Sequence, residues 1–69
     1  MTATETRDKI LDAAARLFHE QGYHATGIST ILREAGVNAG SLYHFFPSKE
    51  ALLIGVLERD IQELDARVA

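Results

Sequence analysis

Residues 27–46 read GISTILREAGVNAGSLYHFF, and the reading of this stretch decides the fold. Ile31, Leu32 and Ala35 form a short apolar stripe at helical spacing. Gly36 suits the end of that helix, because glycine enters the left-handed conformation without a Cβ penalty. Val37 then falls over Leu32. Asn38 is a good N-cap, with a side-chain oxygen for an orphan backbone N–H, and it predicts a second short helix from about Ala39 to Phe45. Two helices of about two turns each, joined by Gly36, Val37 and Asn38, match the helix-turn-helix arrangement. Small αα-hairpins also serve as plain packing units, so spacing alone leaves both readings open.

Outward from the hairpin, the same punctuation recurs. Ile10, Leu11, Ala14, Leu17 and Phe18 keep three- and four-residue intervals, which predicts an amphipathic helix over roughly Thr6 to Gln21. Thr4 or Thr6 would cap it, Gly22 would end it, and Tyr23 would pack back on Phe18. Thr26, Gly27, Ile28 and Ser29 form a cap-rich entry to the first hairpin helix. On the other side Pro47 breaks the chain, since the residue before a proline is pushed out of helical geometry. Ser48 then caps a last helix, roughly Lys49 to Arg67, about 30 Å long. Leu53, Val56, Leu57, Ile61, Leu64 and Val68 are its expected inward stripe. Ala51, Leu52 and Ile54 are then apolar surface beyond one face, the mark of an interface with something outside the chain. The other reading is that the first helix and the hairpin cover both sides. No strand-like alternation or repeat is present. The expected fold is all-α: a small helical bundle with a helix-turn-helix, a three-helix head plus a long fourth helix.

Composition narrows the function. With 69 residues the chain holds one small domain, and 46% hydrophobic with 25% charged residues is ordinary for a globular protein. There is no cysteine, which excludes a disulfide framework and thiolate zinc sites and fits a reducing, cytoplasmic setting. The longest apolar run, Ala51 to Leu57, is far short of the roughly 20 residues of a membrane span. A net charge of −3 argues against a generic polyanion binder, yet the window from Gly36 to Ser48 has no formal charge. His19 and His24 have no third ligand nearby, so no metal is expected. No serine, histidine and acid are arranged as a nucleophile with an oriented base, so neither an enzyme nor a cofactor is expected.

The order of residues says more than the helix count. The chain runs Thr6 to Ala14 as TRDKILDAA, then Leu17-Phe18 and GYHAT over 22–26. It continues with ILREAGV over 31–37, GSLYHFF over 40–46, and SKEAL over 48–52. This resembles the N-terminal DNA-binding domain of the TetR family of bacterial transcriptional regulators, over roughly residues 4–64. The family's helix-turn-helix corresponds to about residues 27–46. The resemblance implies a sequence-specific binder of double-stranded DNA, a repressor that reads a near-palindromic operator as a homodimer. It also implies a larger C-terminal domain that binds a small-molecule effector and forms the dimer. That domain is absent from these 69 residues, so the chain is expected to be a fragment.

By position, Ala39–Phe45 is the recognition helix. Gly40 would let the backbone approach the groove floor, unless it only relieves a crowded helix crossing. Ser41 suits base edges or phosphates, and Ala39 offers a methyl to thymine, where the family often has a longer polar or basic side chain. The resemblance implies that Tyr43 and His44 reach the sugar-phosphate backbone. Their rivals are a buried tyrosine with a satisfied hydroxyl and a solvated histidine. Leu42, Phe45 and Phe46 read as core. Lys49 stands where the helix dipole disfavours a cation, which makes sense beside a bound phosphate, the alternative being an idle surface lysine. Capping explains one of Thr26, Ser29 and Thr30, and the others remain for phosphate. The candidate DNA contacts are therefore Thr26, Ser29, Ala39, Gly40, Ser41, Tyr43, His44 and Lys49. The contrary class is a helical protein-protein docking module that never touches nucleic acid, favoured by the acidic balance and the apolar surplus of the last helix.

Overall fold

The computed structural model describes the backbone of residues 3–68 and the side chains of residues 4–62. Four helices follow in order: α1 (Ala3–Gln21), α2 (Ile28–Ala35), α3 (Ala39–Phe45) and α4 (Lys49–Val68). No strand occurs among the described residues. Gly22 and Gly36 carry φ of +89° and +70°, the left-handed geometry that ends α1 and α2. The Gly22 N–H donates to the Phe18 carbonyl at 2.9 Å, and the Gly36 and Val37 N–H groups both donate to that of Leu32. One last-turn carbonyl of each helix is thereby satisfied. Asn38 Oδ1 accepts from the Ser41 N–H at 2.8 Å and Ser48 Oγ from the Ala51 N–H at 3.0 Å, so both expected N-caps form. Each is worth about 1 kcal/mol.

Helix α1 is the common partner of the other three. Its buried Ile10, Leu11, Ala13, Ala14 and Leu17 meet Ile31 of α2, Leu42 of α3, Phe46 just after it, and Leu52 and Val56 of α4. Helix α1 starts at Ala3, so Thr4 and Thr6 lie inside its first turn rather than capping it at Thr6.

Helix α4 is turned differently from the sequence expectation. Leu52 is fully buried and Ala51 packs partly against the core, so neither is surplus surface. Leu57 and Ile61, expected inward, are more than half exposed, as is Ile54. The inward face runs through Leu52, Gly55 and Val56 because α4 approaches α1 and Phe46 at Gly55. A Cβ built there would lie 2.8 Å from the Phe46 ring and 3.2 Å from a Leu11 methyl. One turn on, Arg59 Nη1 donates to Asp12 Oδ1 of α1 at 2.6 Å. An apolar surplus exists, but it consists of Ile54, Leu57 and Ile61, which share a face. Leu64 and Val68 lie outside the described side chains.

Candidate nucleic-acid interface

Helix α3 is held from one side and open on the other. Leu42 and Phe46 are buried and Phe45 packs partly against the core, which fixes the helix's rotation. Ala39, Gly40 and His44 are exposed, Ser41 is half-buried, and Tyr43 is 47% exposed. The tyrosine is thus not the buried residue of the rival reading. His44 rests edge-on against Phe45, with ring centroids 4.9 Å apart. At Gly40 an added Cβ would meet only Asn38 Oδ1, at 3.3 Å, so no helix crossing requires that glycine. The crowded crossing is at Gly55, which sequence reasoning missed because nothing local marks it.

Thr26 is corrected. Its side chain is only 1% exposed, and its hydroxyl lies 2.8 Å from the Gly22 carbonyl and 3.2 Å from that of Leu17. Its N–H faces the Tyr23 carbonyl at 3.3 Å. Both polar groups are committed within the protein, so Thr26 ties the α1–α2 turn together and offers nothing to a phosphate. The N-cap of α2 is Gly27, with no side-chain cap bond. Ser29, in the first turn of α2, is exposed. Thr26→Val would leave the buried Leu17 carbonyl and the part-buried Gly22 carbonyl without their hydroxyl and should cost about 1–3 kcal/mol, read as a lower thermal midpoint. A midpoint equal to the parent's would show that the hydroxyl contributes no net stability.

Lys49 opens α4, three residues after Phe46. Its Nζ lies 4.3 Å from the centroid of the Tyr23 ring, and it forms no ion pair among the described residues. Two arginines are engaged elsewhere, Arg16 with Glu20 and Glu34, and Arg59 with Asp12. Lys49 is therefore a cation held against an aromatic ring, with no neutralising carboxylate among the described residues. Of the expected contacts, Ala39, Gly40, Ser41, Tyr43 and His44 come from one helix, while Ser29 and Lys49 come from the first turns of its neighbours.

The family described as bacterial regulatory proteins, tetR family, matches residues 10–56. The chain belongs to that family. It is 59% identical over 51 residues to the uncharacterised HTH-type transcriptional regulator YxaF of Bacillus subtilis (strain 168), covering 72% of this chain and 27% of that protein. Over its whole length it is 41% identical to the HTH-type transcriptional regulator LmrA of the same organism, covering 37% of LmrA. The crystal structure of a gamma-butyrolactone receptor (ArpA-like protein) superposes with a TM-score of 0.84 at 44% identity, over 96% of this chain and 33% of that one. The chain thus spans about a third of the length of these relatives. The all-α, four-helix architecture is that of the TetR-type head. No helix among the described residues is long and apolar enough to cross a membrane.

Proposed function

We propose that the chain is the double-stranded DNA-binding head of a ligand-responsive transcriptional repressor, with its unit over residues 4–64 and its helix-turn-helix over about 27–46. The observation that carries this is the two-sided character of α3, anchored inward by Leu42 and Phe46 and exposed at Ala39, Gly40, Tyr43 and His44. A short helix so presented enters a major groove end-on, with its first turn at the base edges. Ala39, Gly40 and Ser41 read bases there. The bare Gly40 admits close backbone approach, and Ala39 supplies a methyl. Ser29, Tyr43, His44 and Lys49 hold phosphates on either side and fix register. In a regulator of the relatives' length, the remaining two-thirds would bind a small effector and form a homodimer. Two heads would then read a near-palindromic operator. The exposed Ile54, Leu57 and Ile61 favour docking as an additional property of α4 rather than a replacement for DNA binding.

Clamping and reading separate experimentally. Lys49→Ala should weaken binding to operator and scrambled duplex alike, and should flatten the slope of log affinity against log salt by about one unit. Ser41→Ala should change the ranking of operators at one base position, by about 1 kcal/mol for one neutral hydrogen bond. Fluorescence anisotropy on both duplexes at several salt concentrations reads both effects. An unchanged slope for Lys49→Ala, together with uniform weakening by Ser41→Ala, would reverse the two roles. Absence of any duplex binding at low salt would leave α4 docking as the better reading.

A further inference from the structure

Tyr23 lies outside the recognition helix, in the turn between α1 and α2. Its expected part was to pack on Phe18, and it does, with ring centroids 5.3 Å apart and planes tilted by 55°. That contact uses one portion of the ring. The face carries Lys49 Nζ, 4.3 Å from the centroid, although Lys49 is 26 positions further along the chain (49 − 23). Beside it stands His24, edge-on to the same ring at 5.3 Å. The tyrosine therefore joins two turns that the sequence treats separately. The turn itself is hydrogen-bonded: the Gly22 N–H donates to the Phe18 carbonyl, the Thr26 N–H donates to the Tyr23 carbonyl, and the Thr26 hydroxyl reaches back to Leu17 and Gly22.

A free lysine side chain samples many rotamers, and ordering it on a phosphate costs side-chain entropy. An ammonium resting on an aromatic face is already ordered, because the ring's quadrupole attracts the charge. Its three N–H donors point in different directions, so contact with the ring leaves donors for an anion. With no carboxylate among the described residues paired to Lys49, none of them must be displaced before the anion binds.

We infer that Tyr23 is a positioning residue that holds the Lys49 ammonium in place for a DNA phosphate. The inference rests on the DNA-binding reading and deepens it. Tyr23 acts through Lys49 and reads no base. Its ring, not its hydroxyl, does the work, and the same contact couples the α1–α2 turn to the first turn of α4.

The test is a double-substitution cycle on a random-sequence duplex at low salt. Tyr23→Leu keeps apolar packing on Phe18 but removes the aromatic face, and should weaken binding about two- to fivefold. In a Lys49→Ala background the same change should have no further effect, because the residue it positions is gone. Tyr23→Phe keeps the face and should bind as the parent does. In the free protein, the Lys49 Cε protons should resonate upfield of their usual position in the parent and in Tyr23→Phe, through the ring current, and return in Tyr23→Leu. Equal weakening by Tyr23→Leu with and without Lys49 would mean a purely structural tyrosine and overturn the inference. So would weakening by Tyr23→Phe, or tighter binding by Tyr23→Leu, which would mean the ring withholds the ammonium. If Tyr23→Leu does not fold, the Lys49 shift in the parent and in Tyr23→Phe decides, and an unshifted signal overturns the proposal. If the parent binds no duplex at all, the DNA reading itself falls. If it binds but the cycle shows no coupling, only the role of Tyr23 falls.

Discussion

Leu52→Glu is expected to unfold the protein, while Ile54→Glu, two residues on, is expected to leave its helices intact and raise its solubility. The contrast follows from where α4 faces. Leu52 is 0% exposed and Ile54 is 55% exposed. Truncating a buried leucine alone costs about 2–5 kcal/mol, and a carboxylate left in its place adds a desolvation penalty of several more. A protein of this size has about 3–10 kcal/mol of stability in total, from about 0.05–0.15 per residue. The loss at Leu52 reaches or exceeds that reserve. At Ile54 an exposed substitution stays within about 0.5 kcal/mol, and glutamate is at least as good a helix former as isoleucine. Circular dichroism with thermal melts of both variants decides the matter. Native helicity and an unshifted midpoint for Leu52→Glu would mean that the leucine points outward and that the packing of α4 described above is wrong.

What was legible in the sequence and what was not divides along a physical line. Helix ends are local events. Gly22 and Gly36 need only their own φ, and Asn38 and Ser48 need only an N–H three residues ahead, so all four could be read from the chain. The inward face of α4 is not local. Seven consecutive residues without a charge, Ala51 to Leu57, offer almost no contrast between faces, and the choice falls to Leu11 and Phe46, which arrive from elsewhere. Thr26 fails for a related reason. A threonine before a helix can cap outward or fold back, and the carbonyls of Leu17 and Gly22 draw it back. For the candidate interface, the exposure of α3 was legible because Leu42, Phe45 and Phe46 leave only one face for Ala39, Gly40, Tyr43 and His44. The partner of Lys49 was not, because Tyr23 reaches it through space.

Gly55→Leu should displace or melt α4, and it tests the crossing on which the interface geometry depends. At this position even one added carbon lies 2.8 Å from Phe46 Cε1, closer than side-chain carbons settle, and 3.2 Å from Leu11 Cδ2. Phe46 is 4% exposed and Leu11 fully buried, so neither has free space to retreat into. Overpacking of this kind costs about 1–3 kcal/mol, and sometimes more. Against it stands the gain from removing a glycine in a helix interior, about 1 kcal/mol. For Gly55→Ala the single added carbon already meets the Phe46 ring, so the packing penalty outweighs the propensity gain and the midpoint should fall modestly. Leucine brings three further carbons with little additional propensity, so the packing penalty wins. A net loss of about 2 kcal/mol lowers the thermal midpoint by roughly 8–16 °C in a domain of this size. The loss has a functional reading as well. Phe46 is the residue by which the end of α3 is anchored, and Lys49 begins α4 three positions later. Pushing α4 away at Gly55 therefore changes the spacing between Lys49 and the exposed face of α3, and duplex affinity should fall even at temperatures where helicity persists. Thermal melts of the alanine and leucine variants, with anisotropy on duplex well below the midpoint, read both effects. If Gly55→Leu melts with the parent, the close approach of α1 and α4 at this glycine is wrong. If it melts early yet binds duplex with full affinity while folded, the crossing supports stability alone and the position of Lys49 does not depend on it.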